Sequence, residues 1–386
     1  MLRLKRGREQ RARVHPWIFK GDVADASEAA PGGAVTVLDH GGRFVGRGYF
    51  NPRPALCCRI ATWQDEAVDA EFLARRLAAA VDARARGGVV PQAARLVWSE
   101  ADGLPGLIVD RYGPVLVVQC LTLGMVRVRD DLVAGLRRRV GDLAVFSLDD
   151  PVVAHLEGFE PVVGWADRPG PPEIVVHEAG VRLAMRPGAG HKTGVYLDQA
   201  LNRVRVGGMA GPGDVLDVFA YTGGFACHAL HGGARRAVCV ESSAEAIAGA
   251  RRNLELNGFT GRAEVRAVNA FDELRRLDRQ HARFDLVVLD PPPFARSRAA
   301  LEAALRGYKE INLRALRLLA SGGRLATFSC SHHVDDTTFE ATVRDAALDA
   351  GTRLRLLDRL PQAADHPVLL TVPETRYLKG LLLQAM

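Results

Sequence analysis

Two short apolar runs in the last third of the chain each end in residues with chemistry to offer. Phe284-Asp285-Leu286-Val287-Val288-Leu289 runs into Asp290-Pro291-Pro292-Pro293-Phe294, and Gly322-Gly323-Arg324-Leu325-Ala326-Thr327 runs into Phe328-Ser329-Cys330-Ser331. An uninterrupted apolar run of this length, closed by polar or turn residues, reads as a strand buried on both faces of a parallel sheet. Ligands in open α/β sheets bind at the carboxyl ends of such strands. The pattern therefore predicts a carboxylate beside a stiff proline turn, and a lone thiol, at one sheet edge. Strands at 214–219, 237–240, 263–267, 284–289 and 324–329 alternate with helices at 225–231, 243–257, 270–278, 299–320 and 336–350, which predicts a doubly wound α/β sheet. Ser242 and Glu245 have capping-box spacing ahead of the second helix. The last strands, near 353–358 and 376–384, have no helix between them, so one of them should run antiparallel.

The alternation is different upstream. Residues 1–70 read as short strands punctuated by Gly32-Gly33, Gly41-Gly42, Gly46 and Gly48, a small β-barrel. A helix over 65–86 follows, then strands at 95–98, 107–109 and 115–120 with turns at 99–103 and 110–113. A helix over 126–140 and strands at 143–148 and 173–176 complete a small α+β domain, the last two separated by a Pro- and Gly-rich exposed connection. The boundaries fall at 1–70, 71–189 and 190–386.

Composition narrows the partners. The longest apolar run, Val115 to Val126, is broken by Gln119 and Thr122, so no membrane span is expected. The basic start lacks the apolar stretch of a signal peptide. The six cysteines contain no C-x-x-C pair, which argues against zinc or an iron–sulfur cluster and for reduced thiols in the cytoplasm. Net charge is +6, and Arg3, Lys5, Arg6, Arg8, Arg11, Arg13 and Lys20 crowd the first twenty residues against Glu9. Such a cluster fits a solvated surface and a phosphate-contacting edge equally well.

The loop Asp217-x-Phe219-x-Tyr221-x-Gly223-Gly224 joins the first strand of the doubly wound region to its helix. Glycine there lets backbone approach a ligand. The loop is not G-x-G-x-x-G and holds no basic residue for a pyrophosphate, which disfavours a dinucleotide. Glu241 ends the next strand, where a carboxylate can accept hydrogen bonds from both hydroxyls of a ribose. Together these point to S-adenosylmethionine.

At this point the chain resembles the class I methyltransferases and, more narrowly, the RlmI-type 23S rRNA 5-methylcytidine methyltransferases. The resemblance runs through Leu107–Tyr112, Gly190–Gln199, Asp217–Phe225, Asp290-Pro291-Pro292, Arg306–Asn312 and Phe328–Ser331. It implies a PUA domain in front, a central α/β domain, and a Rossmann-like methyltransferase domain with adenosylmethionine on the Asp217 loop and Glu241. The family commonly has an acid near the adenine amino group where this chain has Asn269, whose side-chain oxygen still accepts a hydrogen bond.

Methylation at cytosine carbon 5 needs that carbon made nucleophilic, and addition of a thiolate at carbon 6 does so. The resemblance makes Cys330 the nucleophile. Asp290 suits hydrogen bonding at ring N3 and also belongs with the cofactor contacts. The Pro291 carbonyl suits the exocyclic amine, and Phe294 offers a stacking face for a base drawn out of its helix. Related two-cysteine enzymes carry a second cysteine where this chain has Pro293, so the base for the carbon 5 proton is unassigned. The expected partner is 23S rRNA or a large-subunit precursor, touched by Arg6, Arg8 and Arg11; a homodimer is compatible. Two alternatives stand beside this reading. One is an amino-methyltransferase for adenine or guanine, which does not require Cys330. The other is an RNA-binding assembly factor with a non-catalytic methyltransferase fold.

Overall fold

The structure, a computed structural model, describes residues 1–87, 92–188, 194–295 and 297–386. The motif residues Gly190, His191, Lys192 and Thr193 lie outside the described residues. The chain divides into two units. The first is Met1–Ile174 with Ala364–Arg376, and the second is Val175–Ala363 with Tyr377–Met386.

The second unit is built on a seven-stranded sheet. In spatial order its strands are Ala263–Ala267, Arg236–Glu241, Asp214–Val218, Phe284–Leu289, Leu319–Ser329, Lys379–Ala385 and Leu354–Arg359, which is 3-2-1-4-5-7-6 along the chain. All pairs are parallel except those made by Lys379–Ala385, which runs antiparallel to both neighbours. The helix-free closing pair thus contains the expected antiparallel strand. Leu286 through Leu289 are wholly buried, as strands covered on both faces require. Gly322, in the left-handed region at φ 72°, makes an irregularity that lets the Leu319–Ser329 strand begin before the apolar run.

Helix ends follow local chemistry. Asp335 accepts from the Thr338 amide and opens Asp336–Ala350, and Gly351 at φ 64° closes it. The second helix runs Ala244–Leu256, but its cap is Ser243, whose hydroxyl accepts from Ala246 N at 3.3 Å; Ser242 is not the cap. The shift has a cause: the Glu241 carboxylate already accepts from the Ser242 and Ser243 amides.

The first unit holds a six-stranded sheet over residues 2–62 and a five-stranded sheet over 93–165. The helix expected over 65–86 starts at Ala70, because Asp69 caps the Phe72 amide. The turn expected at 110–113 is mostly strand, Leu107–Tyr112. Asp110 tolerates a fully buried place there because Arg95 meets both its oxygens at 2.8 Å. A helix, Pro151–Glu157, lies in the stretch read as an exposed connection; Asp150 caps it and proline occupies its first turn, where a missing N–H is harmless. The helix expected over 126–140 is two, Leu123–Arg127 and Arg129–Val140. Ala364–Arg376 joins this unit through Asp365, which accepts from Arg95 N at 2.9 Å and whose carbonyl accepts from Arg84 at 2.9 Å. No helix among the described residues is long and apolar enough to cross a membrane.

Candidate active site

The register Leu289↔Thr327 sets two strand ends side by side, so that Asp290-Pro291 and Cys330 emerge at one edge. The Cys330 thiol lies 3.7 Å from the Pro291 carbonyl oxygen. Cys330 is partly exposed, whereas the other five cysteines are buried. Gln199 Nε2 donates to Asp290 Oδ1 at 3.1 Å, and Asp290 N reaches the Val218 carbonyl at 3.3 Å. Tyr196 stands near both groups. Burial raises its hydroxyl pKa, and the negative forms of Tyr221, Asp290, Asp198 and Cys330 raise it further, so the phenol stays neutral. The carbonyl of Tyr196 is held by Arg203, itself paired with both oxygens of Glu178 at 2.7 Å. Burial pushes the Glu178 carboxyl up, but Arg203 and His228 outweigh it and hold it at about 2.

The glycine loop is wound tightly. Phe219, Tyr221 and Gly223 have φ of 62°, 49° and 73°. Two non-glycine residues in the left-handed region store strain that the surroundings must hold. Glu241 does so, accepting from Tyr221 N at 2.9 Å as well as from Ser242 and Ser243. The Tyr221 ring meets Tyr196 edge-on at 4.8 Å. Gly224 is needed for packing, since a Cβ there would lie 2.7 Å from Arg203 Cδ. Asp217 is fully buried, with Oδ2 accepting from Ala226 N at 3.0 Å and Oδ1 without a hydrogen-bond partner. Burial lifts its carboxyl to about 7. An unsatisfied buried carboxylate oxygen beside this loop fits the ammonium group of a methionine moiety, and the Glu241 carboxylate fits a ribose. The residues present therefore suit adenosylmethionine.

Asn269 lies beyond the next strand, on the same edge. Its Oδ1 accepts from Phe271 N at 2.9 Å and Asp272 N at 3.4 Å, capping Ala270–Arg279. The oxygen assigned above to the adenine amino group is thus engaged by the helix, and its amide NH₂ is the group left to meet an adenine. Phe294 is half buried in an aromatic cluster with Tyr308 at 4.7 Å, Phe271 at 5.8 Å and Phe219 at 6.2 Å. Gln199 and Tyr196 lie within the quoted motif, but nothing in their spacing assigned them a task. Arg6, Arg8 and Arg11 are exposed in the first unit; Arg8 is 3.4 Å from Asp22, and Arg11 lies over the Phe19 ring at 5.4 Å. No cluster of metal-ligating side chains occurs among the described residues.

A tight glycine loop, an acid ending the next strand, and the 3-2-1-4-5-7-6 sheet define an S-adenosylmethionine-dependent methyltransferase. Residues 160–383 match the S-adenosylmethionine-dependent methyltransferase family model, and residues 2–63 match that of a PUA-like domain. Relatives named ribosomal RNA large subunit methyltransferase I include one from Alteromonas mediterranea, 40% identical over 96% of this chain and 94% of its own. Another, from Klebsiella pneumoniae, is 40% identical over 100% of this chain and 98% of its own. A solved methyltransferase bound to S-adenosylhomocysteine shares the fold, with a TM-score of 0.86 over 99% of each chain at 19% identity. The chain belongs to the ribosomal RNA large subunit methyltransferase I family.

Proposed function

We propose that this chain methylates carbon 5 of a cytidine in 23S rRNA, through a transient bond between Cys330 and carbon 6. In this reading residues 1–70 bind RNA, 71–189 form a central domain and 190–386 carry catalysis in the cytoplasm. The rRNA substrate class is supported by the names of relatives similar over their full length. The observation that carries the chemistry is the partly exposed Cys330 thiol 3.7 Å from the Pro291 carbonyl, next to Asp290.

Bound adenosylmethionine supplies an electrophilic methyl group. Asp217 would hold its ammonium, Glu241 its ribose, and the Asn269 amide its adenine. The Cys330 thiolate adds to carbon 6, and the electron pair of the 5,6 double bond moves onto carbon 5. Asp290 donates a hydrogen bond at N3 and steadies the charge that gathers there. The Pro291 carbonyl accepts from the exocyclic amine and so selects cytosine. Carbon 5 would take the methyl group as the donor's sulfur–methyl bond breaks and leaves a neutral thioether; its own proton would then pass to water, and the returning electron pair would expel the thiolate and restore the ring.

Mapping 5-methylcytidine in 23S rRNA from cells with the gene, without it, and with Cys330→Ala tests this. Loss of one methylated cytidine without the gene, unrestored by Cys330→Ala, is expected. Full restoration by Cys330→Ala excludes the covalent route and leaves amino-group methylation.

A further inference from the structure

Arg306-Gly307-Tyr308-Lys309-Glu310-Ile311-Asn312 has no role in the cofactor and nucleophile assignments. Tyr308 lies on the helix Leu301–Arg317 with its side chain fully buried between Phe294 at 4.7 Å and Phe339 at 5.7 Å. Phenylalanine would fill that place equally well, and a buried hydroxyl is costly unless paired.

This hydroxyl is well paired. Ser329 Oγ donates to it at 3.0 Å, and Ser331 Oγ lies 2.9 Å from it. Ser331 Oγ in turn accepts from Ala295 N at 3.2 Å, and Ser331 N reaches Ser329 Oγ at 3.4 Å. The Ser331 carbonyl is held separately by the buried Lys379 ammonium at 2.7 Å, which also donates to the Tyr377 carbonyl at 2.7 Å. Ser329 and Ser331 flank Cys330, and Ala295 ends the turn that begins at Asp290. One phenol therefore ties together both neighbours of the thiol and the far end of the proline turn.

We propose that Tyr308 is a positioning residue that, through Ser329 and Ser331, fixes the Cys330 thiol against the Pro291 carbonyl and so against the ring held there. This rests on the covalent route above. Burial keeps the phenol protonated, as a donor. Reacting atoms must be held about 3–3.5 Å apart, so loss of the hydroxyl falls on bond formation and not on binding.

The test uses RNA carrying 5-fluorocytidine at the target. Fluorine at carbon 5 does not leave as the proton does, so the sulfur–carbon bond persists and the complex survives a denaturing gel. Wild type should trap and Cys330→Ala should not; if wild type does not trap, the covalent route fails and this inference falls with it. Given trapping, Tyr308→Phe should trap about tenfold more slowly, with RNA and adenosylmethionine affinities unchanged. Trapping at the wild-type rate overturns the inference alone, as does slow trapping that follows weakened cofactor binding. Ser331→Ala should add little to Tyr308→Phe, since both cut one network. Independent, multiplying losses also overturn it.

Discussion

Gln199 Nε2 lies 3.1 Å from Asp290 Oδ1, while the Gln199 amide oxygen accepts from Asn202 Nδ2 at 2.6 Å. Asn202 Nδ2 also donates to the Pro361 carbonyl at 3.0 Å, so the Gln199 amide is oriented from behind. The Asp290 carboxyl is thereby steadied in rotation. Gln199→Ala should lower kcat about tenfold with little change in KM. Gln199→Glu places a second carboxylate against the first and should raise the Asp290 pKa. If Asp290 donates to N3, the basic limb of the kcat/KM profile then moves up by about one pH unit. An unmoved limb would contradict that role.

Thiol reactivity should single out one residue. Burial pushes Cys57 up to about 11 and Cys120 and Cys227 up to about 12, and it raises Cys58 and Cys239 as well. At neutral pH these five hold almost no thiolate. Limited alkylation with iodoacetamide, read by peptide mass spectrometry, should label Cys330 first. Earlier labelling of any buried cysteine would be inconsistent with the structure.

Asp217 gives the proposed cofactor site a pH signature. Burial raises its carboxyl from 3.8 to about 7, with Asp290 and Glu241 adding repulsion. Between those values the folded state holds a proton that the unfolded state has released. The Asp217 contribution to stability should therefore fall as pH rises from about 4 to 7, then level off. Asp217→Asn should flatten this fall in thermal melts. Adenosylmethionine prefers the ionised carboxylate, so its stabilising shift should be larger at pH 8 than at pH 6, and this difference should vanish in Asp217→Asn.

Glu241 holds the strained loop as well as suiting a ribose. Glu241→Gln replaces one accepting oxygen with a donor facing backbone amides. Isothermal titration should show adenosylmethionine affinity lowered about tenfold or more, in line with loss of a charge-assisted hydrogen bond. Affinity equal to wild type would remove Glu241 from the cofactor site.

The basic arm should act through phosphates. Changing Arg6, Arg8 and Arg11 to Gln should weaken RNA binding and lower the slope of log K against log salt by about 0.7–0.9 per lost phosphate contact. Equal slopes for wild type and the triple variant would assign these arginines to solvent.

Much of the sheet edge was legible because its signals are local. The run ending at Leu289 and the polar residues after it mark a buried strand and its exit regardless of what packs nearby. The Pro151–Glu157 helix was not read, although Asp150 and the following proline are a local start signal, because the prolines further along made the whole stretch look like an exposed connection. Other features were not local. Asp110 reads as a turn until Arg95 is seen beside it. The task of Asn269 depends on two amides of the helix it caps. Gln199, Tyr196 and Tyr308 owe their places to Asp290, Tyr221 and Ser331, partners 91, 25 and 23 residues away, which spacing alone does not expose.

The strand Lys379–Ala385 is made last of the seven yet lies inside the sheet, between Leu319–Ser329 and Leu354–Arg359. During synthesis, the strand that leads to Cys330 keeps one flank of amides and carbonyls open until this segment leaves the ribosome. Such a flank is a template for stray pairing. Stop codons or frameshifts that remove it would thus yield aggregating chains, with the surroundings of Cys330 left incomplete, instead of a weakened enzyme.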